Sequence, residues 1–329
     1  MSISPISGLA ISAEIERRAA HTQRVKDAME ASLSFATRRA YAGAIRNLQT
    51  WCEAERFEDW LSPLAIAAHI TARVEDGRSI STVNICLAAI RQHVIEHNLA
   101  SDPTQNSGLR RTVAGVRRQL AGRTPVRAHA LTTRELARIL AAIDRTANAG
   151  KRDAALLTLI YASAMRRSEV AALRRRDLRL GSDGIVVTVA KSKTDQFGGG
   201  DVVGVTKGQH PSTDPLGAVT RWLATRGQID PEQAVFCRVT RTGKILTGTQ
   251  ITGATVAKIL QTRAAAAGVE AIGLSGHSPR SGHITTAAIT GMSLEQIART
   301  SRHKSIPVLL TYVRPATVLG STSASSLGL

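Results

Sequence analysis

Between residues 277 and 312 the chain carries a phenol, two imidazoles and a guanidinium. They belong to Tyr312, His277, His303 and Arg280, and the whole protein contains only three tyrosines. A phenol can attack a phosphodiester, an imidazole can accept its proton, and a guanidinium can neutralise the non-bridging oxygens. The cluster therefore indicates DNA strand exchange without a metal ion. A tyrosine half-buried for packing is the simpler alternative for Tyr312.

The charge of the chain favours a polyanionic partner. The net charge is +18, and only eight of the 43 basic residues are lysine. The planar fork of arginine fits phosphate oxygens and guanine edges, which favours nucleic acid over a membrane surface. A basic surface that only keeps the protein soluble is the alternative.

Other classes of protein find little support in the sequence. No run of about 18 uncharged apolar residues predicts a membrane helix, and the N-terminus does not resemble a signal peptide. The three cysteines, Cys52, Cys86 and Cys237, are far apart and predict buried thiols in a reducing cytosol. We expect no zinc site and no cofactor, and we expect a cytoplasmic bacterial protein associated with DNA.

The pattern predicts a mainly α fold with two domains that clamp DNA. We expect a disordered segment at 1–20, an N-terminal helical DNA-binding domain at 21–121, a linker at 122–130, a catalytic domain at 131–315 and a tail at 316–329. The catalytic domain should be the larger and contain a small antiparallel sheet, because 185–189 and 202–205 are β-branched around a glycine-rich turn.

Local signals place several helices. Ser62 followed by proline predicts a helix start, and capping-box spacing predicts starts at Thr132 and Ser293. In the second half, helices are expected at about 153–164, 168–173, 215–225, 249–267, 277–290 and 293–301.

Basic residues on these elements are candidate DNA contacts, although a solvated charged face is the alternative. Base readers are expected on the helices around 38–48, 80–94 and 249–266. The candidate contacts are Arg38, Arg91, Arg110, Arg111, Arg117, Arg118, Arg123 and Lys191.

The order of the motifs is similar to that of the tyrosine recombinase, or phage integrase, family. The segments are Ala-Met-Arg166-Arg-Ser-Glu169-Val, then Lys193 on a turn, then Leu-Ser-Gly-His277-Ser-Pro-Arg280-Ser-Gly, then His303 and Tyr312. The third segment and Val-Phe-Cys-Arg-Val at 235–239 most resemble the Cre recombinase branch. The resemblance covers roughly residues 30–315, and its order and spacing are more specific than any one motif.

The resemblance implies a role for each residue. Tyr312 would form a 3′-phosphotyrosyl bond, and Arg166 and Arg280 would clamp the phosphate. Arg167 competes with Arg166 for this role. Ala164 stands where the family usually has glycine.

The remaining roles concern protons and orientation. Lys193 would protonate the leaving 5′ oxygen, with Lys191 as its competitor, and His277 would take the proton of the tyrosine. His303, where the Cre branch carries tryptophan, would hydrogen-bond the phosphate, and Glu169 would orient the site.

The resemblance thus implies a site-specific recombinase that needs no metal, cofactor or ATP. It would act as a homotetramer on two double-stranded sites with inverted repeats. A type IB topoisomerase and a catalytically silent DNA-binding protein are the alternatives.

Overall fold

The computed structural model describes residues 16–24, 28, 32–122, 129–189, 200–270 and 272–317. Its contacts divide the chain into two compact units, Met1–Pro125 and Val126–Leu329. The division lies within the predicted linker, 122–130, of which 123–128 are outside the described residues. The domain limits given above stay a prediction. The mainly helical fold with small antiparallel sheets is confirmed.

The N-terminal unit is a helical bundle. Residues 16–24 are helical and exposed, and 1–15 lie outside the described residues, so the disordered segment at 1–20 stays a prediction. The bundle packs around a core that includes Leu48, Ile66, Ile90 and Leu109. Its helices are α1 (Phe35–Ala54), α2 (Pro63–Glu75), α3 (Ile80–Glu96) and α4 (Ser107–Leu120), with a 3₁₀ turn at Pro103–Gln105.

Side-chain caps explain where α2 and α4 begin. The Ser62 hydroxyl accepts a hydrogen bond from the backbone N–H of Ala65, with proline at the first position of α2, as predicted. The Asn106 side chain accepts from the backbone N–H of Leu109 at the start of α4. Each cap satisfies an N–H group that has no partner within its helix.

The second unit contains eight further helices among its described residues. They are α5 (Thr133–Ala141), α6 (Asn148–Ala162), α7 (Arg167–Ala172), α8 (Pro215–Arg226), α9 (Gly253–Ala266), α10 (Ser278–Ile289), α11 (Leu294–Ser301) and α12 (Ile306–Thr317), with a 3₁₀ turn at Arg175–Asp177. The predicted capping boxes are present at Thr132 and Ser293.

Two antiparallel sheets complete this unit. One contains β1 (Leu178–Leu180), β2 (Gly184–Val189) and β3 (Asp201–Thr206) in that order, and the other pairs β4 (Cys237–Val239) with β5 (Ile245–Gln250). Alternate residues of β2 and β3 are buried against a core that contains Trp222 and Phe236. The two predicted strands and their antiparallel pairing are thereby confirmed, and the turn predicted between them, at 190–199, lies outside the described residues.

Two predicted helices differ from the structure in their limits by more than one residue. The helix expected from Thr249 begins at Gly253, because Thr249 and Gln250 extend β5 and Thr252 caps α9. Helix α6 begins before Asp153 and ends at Ala162. Ala164, which was expected to end it, instead adopts a positive φ of 48° and turns the chain toward α7.

Within the described part of the chain, no helix is long and apolar enough to cross a membrane. The same residues contain no group of three or more His, Cys, Asp or Glu side chains that could hold a metal ion.

Candidate active site

Five of the predicted site residues lie together in the second unit. Arg166 pairs with Glu169, the guanidinium of Arg280 lies 3.4 Å from the ring of His303, and that ring lies beside Tyr312 with 5.9 Å between centroids. The carbonyl of Ala164, two residues before Arg166, accepts Nη1 of Arg280 at 2.6 Å, which links the two halves of the group. Residues from α7, α10, the end of α11 and α12 therefore form one cluster.

The pair of Arg166 and Glu169 is built into the start of α7. The Glu169 carboxylate accepts the backbone N–H of Arg166 at 2.8 Å and its Nη1 at 2.6 Å. The first contact caps the helix, and the second holds the guanidinium. The Glu169 side chain is only 3% exposed, whereas that of Arg166 is 15% exposed. The arginine therefore keeps an accessible edge while its partner is buried.

Arg280 lies in the first turn of α10 and is buried. Its Nη1 donates to the carbonyl of Ala164 at 2.6 Å. The left-handed backbone of Ala164 is one that glycine adopts more easily, which accounts for the glycine that the family resemblance led us to expect there. Burial, and next the charge of Arg166, lower the pKa of Arg280 to about 10, so it stays charged at neutral pH.

His303 is held in its neutral form. Burial and then the charges of Arg280, Arg166 and Arg302 lower its pKa to about 4. Its Nδ1 lies 2.7 Å from the hydroxyl of Ser301, which itself donates to the carbonyl of Ile297. That hydroxyl oxygen can therefore accept a hydrogen bond from Nδ1–H, which leaves Nε2, 3.5 Å from Nη2 of Arg280, as the acceptor on that side.

Tyr312 is half-buried on α12. Leu309 and Val313 of this helix pack in a small apolar cluster with Ile284 and Ala287 of α10. Since α10 also carries Arg280, the same contacts that fix α12 set the distance between the phenol and the buried guanidinium.

Of the other two predicted catalytic residues, one is described. His277 is exposed at the N-terminus of α10, where its backbone N–H donates to the hydroxyl of Ser275 at 3.1 Å. Lys193 lies outside the described residues, in the connection between β2 and β3.

Arg302 is a member of the cluster that the sequence analysis did not identify. Its side chain is 6% exposed, its Nη2 donates to Glu169, and its Nε lies 3.9 Å from Oδ2 of Asp201. Its φ is 56°, at the position after α11 where glycine is most common. An arginine in a typical glycine position, directly before a candidate histidine, is the signal that could have revealed it.

The phage integrase family model matches residues 129–317, which are more than half of the chain and contain every member of this cluster. The chain belongs to the phage integrase family.

Relatives of this integrase-family chain extend over both units. It is 28% identical over 314 residues to an integrase/recombinase xerD homolog of Selenomonas ruminantium, covering 93% of this chain and 89% of that protein. A tyrosine recombinase of Synechococcus elongatus is 28% identical over 294 residues, covering 84% and 83%. The narrower likeness to the Cre branch stays a prediction.

Solved structures show the same fold. XerH recombinase bound to difH in a pre-cleavage complex has a TM-score of 0.60 at 16% identity, covering 86% of this chain and 79% of that one. A lambda integrase fragment bound as a dimer to a COC′ core site has a TM-score of 0.56 at 15% identity, covering 90% and 94%.

The predicted DNA contacts of this integrase-family chain can be placed on its N-terminal unit. The Nε of Arg91 donates to Thr104 at 2.9 Å, and Nη2 of Arg117 donates to Asn84 at 3.1 Å. Arg123 and Lys191 lie outside the described residues. All the described candidates are exposed, namely Arg38, Arg91, Arg110, Arg111, Arg117 and Arg118.

Proposed function

We propose that this protein is a site-specific DNA recombinase that cuts and rejoins strands through a 3′-phosphotyrosyl bond at Tyr312. The observation that carries the proposal is the placement of Tyr312 beside His303, which in turn contacts the buried Arg280. Membership of the phage integrase family and the DNA-bound states of XerH and lambda integrase support it.

Arg166 and Arg280 would bind the non-bridging oxygens of the scissile phosphate. Arg280 has one nitrogen anchored on Ala164, so its other nitrogen can donate to an oxygen without moving the side chain. The partly exposed Arg166 can supply a second donor, and a pair of charged forks suits a phosphate better than lysine would. Arg167, the competitor, is exposed on α7.

The strand-transfer step would proceed as an in-line displacement. The phenol of Tyr312 loses its proton to His277, its oxygen bonds to phosphorus, and the bond to the 5′ oxygen breaks as Lys193 protonates that oxygen. The negative phosphate would offset the neighbouring arginines and raise the pKa of His303, which could then donate to an oxygen. Attack by a 5′ hydroxyl of another strand reverses the step, so no ATP, metal or other cofactor is required.

The domain organisation and assembly form part of the same proposal. The N-terminal helical unit and the linker would close with the catalytic unit around a duplex as a clamp. Four protomers would join two double-stranded sites, each with inverted repeats. The excess of arginine supports binding to DNA, and a cytoplasmic location is inferred from that partner.

The first experiment traps the covalent bond. The full chain is incubated with a nicked DNA library that includes the sequences next to its gene, denatured in detergent, and examined for protein–DNA adducts. We expect adducts that locate to Tyr312, that disappear in Tyr312→Phe while DNA binding persists, and that remain in Tyr41→Phe, the matched control in the other unit. If the unmodified chain forms no adduct with any member of the library, the proposal fails and a silent DNA-binding protein remains.

A second experiment separates recombination from relaxation of supercoils. A substrate with two copies of a recovered site should yield crossed products joined between the copies. Covalent attachment with relaxation but without crossed products would instead support the topoisomerase alternative.

A further inference from the structure

Arg302 adopts a backbone conformation that favours glycine. Its φ is 56°, its N–H closes α11 on the carbonyl of Ala298, and its side chain is buried. Glycine would form the same turn without the steric penalty of a side chain. The turn alone therefore does not explain an arginine, and the burial of its charge requires a compensating partner.

The partner is the carboxylate that also holds Arg166. One oxygen of Glu169 accepts Nη1 of Arg166, and the other accepts both the backbone N–H of Arg166 and Nη2 of Arg302. Two guanidiniums that are far apart in the sequence thus share one buried acid. This sharing fixes Glu169 from two sides, and Arg166 is attached to it by a single side-chain nitrogen.

A purely structural ion pair would be expected to satisfy its donors. In the described structure, Nε and Nη1 of Arg302 are buried and make no hydrogen bond. Asp201 is the nearest further acid, at 3.9 Å from Nε, which exceeds hydrogen-bond distance. Three guanidiniums, those of Arg166, Arg280 and Arg302, lie in this group, and Glu169 pairs with only the first and the last, so the group retains a positive charge that suits an incoming phosphate.

We propose that Arg302 is a positioning residue for strand transfer: by holding Glu169, it fixes the guanidinium of Arg166 for the scissile phosphate. This inference rests on the proposed function. Because Arg302 acts through Glu169, its replacement should slow the cleavage step and leave the affinity for DNA unchanged.

The test compares Arg302→Gly with Arg56→Gly. Arg56 also has a left-handed backbone, with φ 61°, but it is exposed in the other unit, so it controls for the gain of glycine. Single-turnover cleavage and DNA affinity are measured on a site recovered with the unmodified chain. Loss of a charged hydrogen bond should slow cleavage by Arg302→Gly about 10- to 100-fold, with DNA affinity unchanged and Arg56→Gly at the normal rate.

A double-mutant cycle distinguishes positioning from general destabilisation. In a Glu169→Gln background, Arg302→Gly should slow cleavage less than about threefold further, since its route through the carboxylate is already broken. If Arg302→Gly slows cleavage by the same factor in the Glu169→Gln background as in the unmodified chain, the inference is overturned. If Arg302→Gly does not fold, Arg302→Lys is used in the same cycle.

The two proposals fail in different ways. An unmodified chain that never forms an adduct removes the proposed function itself. Normal cleavage by Arg302→Gly alongside an active unmodified chain removes only the role of Arg302.

Discussion

Acid should destabilise the N-terminal unit through one buried histidine. His69 on α2 is only 3% exposed, its Nε2 lies 3.2 Å from Oδ1 of Asn47, and its ring packs edge-on against Trp51. Burial, and then the charge of Arg73, lower its pKa from the ordinary 6.5 to about 4. Between these values the unfolded chain binds the proton and the folded chain does not.

The size of the effect follows from this difference in proton binding. Stability rises with pH wherever the unfolded state holds more protons, so the free energy of unfolding must fall as the pH drops from about 7 to 4. With a pKa of 6.5 unfolded and about 4 folded, the loss is about 2 kcal/mol at pH 5 and approaches about 3 kcal/mol below pH 4.

The fluorescence of Trp51 provides a local assay. Replacing Trp60 and Trp222 by phenylalanine leaves this one tryptophan, which contacts His69 directly. Urea unfolding at pH 7 and pH 5 is then compared with and without His69→Gln, which cannot titrate. The fall in unfolding free energy between the two pH values should be about 2 kcal/mol smaller in the His69→Gln chain.

The role of His69 is tested by how steeply the free energy of unfolding changes with pH in the two chains. His69→Gln is expected to lower stability at pH 7 as well, because packing against Trp51 changes, and that loss alone says nothing about the proton. An equal dependence on pH in both chains would refute the assignment of the acid sensitivity to His69.

Two further predictions concern the second unit, and a matched control lies in the N-terminal unit. Asp153→Asn should lower the unfolding free energy followed at Trp222 by about 3–5 kcal/mol, because it leaves two arginines without their buried partner, whereas Glu295→Gln in an exposed pair should change nothing measurable. Gly282→Ala should reduce both the melting temperature and adduct yield, since its Cβ would lie 1.8 Å from the carbonyl oxygen of Leu131. At Gly115 on α4 a Cβ would meet open space, so Gly115→Ala should instead raise the free energy of unfolding by about 0.5–1 kcal/mol. Equal melting temperatures for the Gly282→Ala and Gly115→Ala chains would contradict both expectations.

Structural features that depend only on residues close together in the chain could be predicted from the sequence. Ser62, Thr132 and Ser293 mark helix starts because a cap joins groups within a few residues. Strand β5 could not be recognised in this way, since its last four residues are exposed and show no apolar alternation. Thr249 therefore looked like the beginning of a helix.

Part of the candidate site was predictable from the chemistry of its residues and part from the resemblance to a family. Tyr312 and Arg280 were identified by the first route and Arg166 by the second. Arg302 was not, because its partner Glu169 is 133 residues away and no local pattern connects them. Long-range burial also decides the neutral state of His303, which the sequence by itself does not indicate.

The packing of α12 on α10 has a consequence for which protomer of an assembly would cleave which DNA strand. Tyr312 is anchored through Leu309 and Val313 to the helix that carries Arg280, so both come from one polypeptide. In the proposed recombinase, every protomer would therefore bring Tyr312 together with its own Arg280. The number of active centres in an assembly would equal the number of intact chains and would not depend on the interfaces between them. A protomer that lacks Tyr312 would fail to cleave its own strand, because the tyrosine of a neighbour would not replace it.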